Sequence, residues 1–333
     1  MLTKHELDEI MSKWGISIKG YTVVTKGIVN TNWIIISSEG KFVLRRLSHF
    51  KNLKSLGLEI SYLHDLKNHN FPYQIPIPIK NRNERFFLTY KRQYFWLYKY
   101  IPGSFKNQLN KLELNELAIM MKKYHNIVKI SRFNKIKKPE VDPFFRNAIL
   151  RESLRLKKLI FKGKFTLPQD KIFLNWLSLI IPILKEMKLT PYSKLRTYPL
   201  HGDIKQDNLL WKESKLIGIL DFDNIGRSNF TIIKDLSVVL QYCCVKKKDR
   251  TRLNFKLARF FLNAYADDMK LSTNEMKAIP LLITLQYIDL FNYTYWLLKN
   301  NPNRAKLSDL VIRAKAAKWY YQNKEKIFTN LKF

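Results

Sequence analysis

One block that lacks helical periodicity, from Tyr198 to Arg227, gathers polar side chains at spacings suited to chemistry. It reads His201-Gly202-Asp203-Ile204-Lys205-Gln206-Asp207-Asn208, then the apolar Leu209-Leu210-Trp211. A second apolar run, Leu216-Ile217-Gly218-Ile219-Leu220, leads into Asp221-Phe222-Asp223. Two short strand candidates therefore flank a polar loop, and the second ends in a carboxylate. Transfer of a phosphoryl group requires such a set. One carboxylate orients and deprotonates the attacking hydroxyl, while an amide oxygen and another carboxylate hold the magnesium ion that neutralises the phosphates. Asp203, Asn208 and Asp221 supply the three in order. The plainer reading is that His201 and Asp203 cap a turn.

Elements on both sides must hold this block in place. Tyr21 to Val24, Thr31 to Ser37 and Lys41 to Arg46 alternate like strands, with turns at Gly27 and at Ser38-Glu39-Gly40, and form a hairpin meander. A helix follows, with Leu53, Leu56, Glu59, Ile60, Leu63 and Leu66 at three- and four-residue spacing until Phe71-Pro72 stops it. Ile75-Pro76-Ile77-Pro78-Ile79 is extended, because proline biases its predecessor out of the helical region. Phe86 to Tyr90 and Tyr94 to Tyr100 are two further strand signals, closed by Ile101-Pro102-Gly103. Beyond Pro102 the pattern is helical over about 111–131, 142–163, 168–188, 232–245, 251–270, 273–299 and 306–328, with Ser272 and Glu275 as a capping box. The chain is thus an α+β protein with a small antiparallel sheet first and a large helical part after it.

The 333 residues, 46% hydrophobic, suffice for two modest domains sharing a cleft or one large one. Sixty Lys and Arg against 27 Asp and Glu leave a net charge of +33, a field that favours polyanions, although solvated lysine-rich faces account for the same excess. No nucleic-acid motif accompanies the charge. The two cysteines, Cys243 and Cys244, are sequence neighbours and too few for a disulfide scaffold or metal cluster. Met1 to Ile10 lacks the apolar stretch of a signal peptide, and the longest apolar segment, Ile172 to Leu184, is broken by Asn175, Ser178 and Pro182. These features predict a soluble, cytoplasmic protein.

His-x-Asp-x-x-x-x-Asn, followed thirteen residues on by Asp-Phe-Asp, resembles the catalytic loop and metal-binding segment of kinases. The His-Gly-Asp form resembles the aminoglycoside phosphotransferase-like superfamily, which includes choline kinase, type II homoserine kinase and kinase-like proteins of bacterial spore coats. The resemblance covers about residues 21–240. It implies a bilobal protein-kinase-like fold, with a nucleotide-binding lobe over 1–101 and a helical lobe over 102–333 that carries the catalytic loop and acceptor site. It also implies ATP and Mg2+ as cofactors, Asp203 as base, and Asn208 and Asp221 as magnesium ligands. His201 becomes loop architecture, and Lys205 either meets the charge of the transferring phosphate or is a surface lysine.

The same resemblance assigns residues to the nucleotide. Gly27 and Asn30 stand where a phosphate-covering turn is expected, or in an ordinary hairpin turn. Arg45 occupies the position of the kinase strand lysine, bringing a planar fork in place of a compact charge, with Arg46 as the competing register. Glu59 is the helix carboxylate that pairs with it, or else a solvent-facing residue. Tyr98, Tyr100 and Ile101 belong to the segment that reads adenine, or to the core. Tyr124-His125 matches a helix end in the superfamily, His125 being structural. Gly226 and Asp235-Leu236-Ser237 resemble a stretch in which the aspartate caps a helix and supports the catalytic loop.

For the acceptor, Asp289, Tyr293 and Trp296, with Tyr287 and Tyr295, form an aromatic group with one acid, suited to a cationic or amine-bearing molecule. Core packing explains such a stripe as well. Two function classes follow. One is a kinase acting on a small hydroxyl compound, namely an amino alcohol, amino sugar or sugar. The other is a spore-coat-type protein whose kinase fold has a mainly structural or binding role, docked by its charge on an acidic surface.

Overall fold

A computed structural model describes residues 2–24, 31–47, 52–135, 146–163, 167–187, 195–225, 230–267 and 269–332. The chain divides into two compact units, Met1–Phe105 with Asn208–Arg227, and Lys106–Asp207 with Ser228–Phe333.

The first unit is built on a five-stranded antiparallel sheet. Its strands are β1 (Gly20–Val24), β2 (Thr31–Ser37), β3 (Gly40–Arg46), β4 (Leu88–Tyr90) and β5 (Gln93–Lys99), in the order β1-β2-β3-β5-β4. Period-2 alternation gives the sheet two faces. Trp33, Ile35, Phe42, Leu44, Phe95 and Leu97 lie on one and pack with Leu7, Ile10 and Met11 of helix α1 (Lys4–Ser12). Val43, Arg45, Trp96 and Tyr98 lie on the other, since Val43 pairs with Tyr98 and Arg45 with Trp96 in register. Helix α2 (Leu53–Asn68) buries Leu56, Glu59, Ile60, Leu63 and Leu66 of the three- and four-residue stripe, adds Tyr62, and leaves Leu53 exposed at its first position.

Helix α1 escaped the sequence reading, although its signal is present. Thr3 and Glu6 form a complete capping box, and Leu7, Ile10 and Met11 supply the apolar stripe. The strand expected over Phe86 to Tyr90 is shorter, because only Leu88 to Tyr90 pair with β5. The unit is completed by a separate hairpin, β7 (Leu209–Lys212) with β8 (Lys215–Ile219).

The second unit is helical: α3 (Lys111–Ile130), α4 (Arg146–Lys162), α5 (Pro168–Glu186), α6 (Ile233–Cys243), α7 (Phe255–Ala266), α8 (Thr273–Asn300), α9 (Leu307–Gln322) and α10 (Lys324–Leu331). The short strands β6 (Thr197–Tyr198) and β9 (Phe230–Thr231) pair ahead of α6. Ser272 and Glu275 form the capping box that opens α8. The single helix expected over 306–328 is two. Helix α9 ends at Gln322 and α10 begins at Lys324, with Asn323 between them at φ −102, ψ 18, outside helical geometry. Among the described residues no helix is long and apolar enough to cross a membrane.

Candidate functional site

In the first unit the hairpin β7–β8 sets two of the polar residues side by side. Leu209 pairs with Ile219, and the Leu220 amide donates to the Asn208 carbonyl at 2.8 Å, so Asn208 and Asp221 emerge together at its open end. Asp221 adopts φ +66, a left-handed conformation that costs a side-chain-bearing residue on the order of 1 kcal/mol and is concentrated at functional turns. Gly218 allows the hairpin to approach its neighbours, since a Cβ there would sit 2.9 Å from the Gln74 carbonyl oxygen and 3.2 Å from Ile101 Cγ2.

Arg45 reaches this end of the hairpin from β3. Its Nη2 donates to Asp221 Oδ1 at 2.9 Å and also to Asp223 Oδ1, and its Cζ stands 5.7 Å from the Trp96 ring centroid. Burial opposes the charge of this guanidinium. The carboxylates of Asp223, Asp221 and Glu59 outweigh that penalty and hold Arg45 above the ordinary arginine range. Glu59 is fully buried on α2. Arg46 projects from the opposite face of the sheet, donates to Thr31 Oγ1 at 2.9 Å and lies over the Trp33 ring.

Tyr98 is buried beside Arg45. Burial, with Asp221 and Glu59, pushes its hydroxyl up to about 12, so it remains a neutral donor. The Tyr100 amide donates to the Lys41 carbonyl at 2.9 Å and is therefore committed to the sheet. Ile101 is buried against Gly218. Gly27, Asn30 and Gly226 lie outside the described residues.

The oxygen donors at the hairpin suit magnesium, which takes one or two carboxylates and completes its shell with phosphate and water. Among the described residues no cluster of three His, Cys, Asp or Glu makes an all-protein metal cage. Asn208 and Asp221 with a polyphosphate are consistent with that chemistry.

The second unit holds the loop with Asp203. Gly202, at φ +72, donates its amide to Asp235 Oδ1 at 2.7 Å, a backbone conformation that glycine adopts without a Cβ penalty. The Asp203 amide donates to His201 Nδ1 at 3.2 Å, and His201 is fully buried. Behind the loop, His125 of α3 bonds Asp235 Oδ2 through Nε2 at 3.1 Å and the Tyr265 hydroxyl through Nδ1 at 2.8 Å. A ring protonated on Nε2 satisfies both bonds. Helices α3, α6 and α7 thereby converge on one loop amide. The Asp203 carboxylate is about a quarter exposed, and Lys205 Nζ reaches its two oxygens at 2.9 and 2.7 Å. The same ammonium lies 5.6 Å from the Tyr242 ring centroid.

On α8 the acceptor candidates separate. Tyr287 is buried and stacks on Tyr320, while Tyr295 stacks on Phe173 and donates to Asp170. Asp289 is exposed, and the half-buried Tyr293 and Trp296 stack in parallel 5.9 Å apart. Three residues were given no role in the sequence reading. Asp223 was visible as the second acid of Asp-Phe-Asp. Lys234, beside Asp235, is pushed below the ordinary lysine range by burial, against the pull of Asp289, Asp203 and Asp235. Tyr265, the far end of the polar chain, had no local signal.

The phosphotransferase enzyme family model matches residues 20–267. A homoserine kinase of Bradyrhizobium diazoefficiens (strain JCM 10833 / BCRC 13528 / IAM 13628 / NBRC 14792 / USDA 110) is 36% identical over 83 residues, and the match spans about a quarter of each chain, 25% of this one and 24% of the other. An amicoumacin kinase solved with AMP-PNP, Ca2+ and Ami superposes with a TM-score of 0.69 at 14% identity, covering 97% of this chain and 94% of that one. A microcompartment-associated aminopropanol kinase superposes with a TM-score of 0.62 at 12% identity, covering 97% of each chain. With a match running from β1 through α7, the chain belongs to the phosphotransferase enzyme family.

Proposed function

We propose that the protein is an ATP-dependent kinase that passes the γ-phosphate to a hydroxyl of a small molecule, namely an amino alcohol, an amino sugar or a sugar. The observation that carries this reading is the open end of β7–β8, where Asn208 and Asp221 emerge beside a buried arginine. Residues 1–101 serve as the nucleotide lobe and 102–333 as the helical lobe with the acceptor site. Asn208 and Asp221 hold the magnesium ion, which when bound neutralises charge on the phosphates. Arg45, braced by Glu59, binds phosphate oxygens, and Gly27 and Asn30 cover them with main-chain and amide donors. Tyr98, Tyr100 and Ile101 border the adenine, which leaves the Tyr100 carbonyl or the neighbouring groups to read its edge, because the Tyr100 amide is already bonded. Asp203 accepts the hydroxyl proton, and Lys205 meets the charge on the moving phosphate.

The acceptor reading rests on Asp289, Tyr293 and Trp296, which lie at i, i+4 and i+7 on α8 and stay accessible. An ammonium group fits the carboxylate and the stacked rings. The names of the aminopropanol kinase and the homoserine kinase support an amino-alcohol class, and the AMP-PNP and Ca2+ of the amicoumacin kinase support a nucleotide with a divalent metal. The net charge of +33 supports a second property, electrostatic association with polyanions, as a spore-coat-type binding role would require.

Magnesium-ATP is expected to raise the melting temperature of the wild type and to leave that of Asp221→Ala unmoved. No shift in either would sink the kinase reading. In a phosphate-transfer screen of hydroxyl compounds, Asp203→Asn is expected to lower turnover by roughly 10^2- to 10^4-fold while retaining ATP binding.

A further inference from the structure

Arg45 is buried, 4% exposed, and one nitrogen of its guanidinium, Nη2, donates to both Asp221 and Asp223. Its Nε has no hydrogen-bond partner among the described residues. A buried N–H without a partner costs about 1–3 kcal/mol, so an arginine held in this way is suited to a ligand that brings acceptors. The two carboxylates it bridges differ in surroundings. Asp221 has a side chain 40% exposed, and Asp223 only 12%. The accessible carboxylate is the one suited to a cation, and the enclosed one is suited to retain the arginine. With Glu59, three carboxylates share the field of one guanidinium.

We propose that Asp223 is a positioning residue that tethers Arg45, so that Asp221 is released to the metal while the guanidinium keeps its remaining N–H groups directed at the polyphosphate. The role rests on the kinase reading above. Without the tether, Arg45 would pair with Asp221 alone and compete with the metal for the same carboxylate. Asp223 would then act on magnesium only through Arg45, as outer partners of metal ligands do.

This role makes a prediction of opposite signs. ATP binding to the full chain, measured by isothermal titration with and without magnesium, yields the metal-free affinity and the magnesium concentration for half-maximal binding. Asp223→Asn keeps the shape and an acceptor oxygen but removes the charge. It is expected to require roughly tenfold more magnesium, and to bind metal-free ATP roughly threefold tighter because one repelling charge is gone. Asp223→Glu, which restores the charge, is expected to bring the magnesium requirement back to within about threefold of wild type. Both constants unchanged in Asp223→Asn, both weakened together, or any other pattern overturns the proposal, since loss of packing alone weakens both. If that variant does not fold, Arg45→Gln is read instead, with the mirror result expected: less magnesium required and metal-free ATP weakened. A wild type that binds no ATP under either condition removes the kinase reading, and this inference with it. That result is distinct from a wild type that binds while the variant shows no divergence.

Discussion

Adjacent arginines with the same charge have different surroundings here because strand side chains alternate. Arg45 lies with Val43, Trp96 and Tyr98 on one face of the sheet, and Arg46 pairs with Phe95 and Thr31 on the other. A slip of one residue in register would exchange them, which was the ambiguity left by the sequence. The face, more than the charge, decides what each can bind. Arg46→Gln is accordingly expected to change ATP affinity by less than about twofold in a titration, because it removes bonds to Thr31 and Gln93 and a contact with Trp33 on the other face of the sheet. A loss as large as that from Arg45→Gln would show that the nucleotide is read from the other face.

Helices reach the loop that carries Asp203 through polar contacts that must be complete to be stable. Asp235, in the first turn of α6, accepts from Gly202 and from His125, and Tyr265 of α7 closes the chain. Asp235→Ala leaves two buried donors without an acceptor and is expected to cost about 3 kcal/mol or more in urea unfolding. Tyr265→Phe removes a single bond at the far end and is expected to cost about 1 kcal/mol. Equal losses would mean that the chain does not act as a graded support. Helix α1 offers a pH-dependent case. Hydrogen bonds from Lys91 and from the Thr3 amide lower the Glu6 carboxyl from 4.5 to about 2. A carboxyl with a depressed folded pKa contributes stability above its unfolded value, and that contribution disappears as pH falls through the folded one. The melting temperature of Glu6→Gln is expected to lie below wild type above about pH 4.5, with the gap closing toward pH 2. A gap that persists at pH 2 would exclude ionisation as its source.

Over the full chain, the net charge of +33 and the buried arginine respond differently to salt. Exposed lysines act through a field that salt screens within about 8 Å at physiological ionic strength, whereas an enclosed guanidinium is screened far less. Retention on an inorganic polyphosphate matrix is expected to fall steeply between 0.05 and 0.5 M salt, on the order of 10^2-fold or more, while magnesium-ATP affinity changes by less than about tenfold. Equal salt slopes would place the nucleotide on the charged surface and not at Arg45.

The reaction type, the α+β class and most helices were legible in the amino-acid sequence because they depend on local order. Asp203, Asn208 and Asp221 lie within one stretch, and an apolar period of two or of three to four residues marks the elements around them. Helix α1 was legible too, in Thr3, Glu6 and the stripe after them, but was overlooked. The division of 306–328 into two helices turns on the backbone of a single residue, Asn323, leaving helical geometry, which periodicity does not record. Other features required the tertiary structure: which arginine meets Asp221, the pairing of Arg45 with Asp223 across 178 residues, and the route from Gly202 to Tyr265. Such contacts depend on strand register and helix packing, which bring together polar groups that lie far apart in the chain.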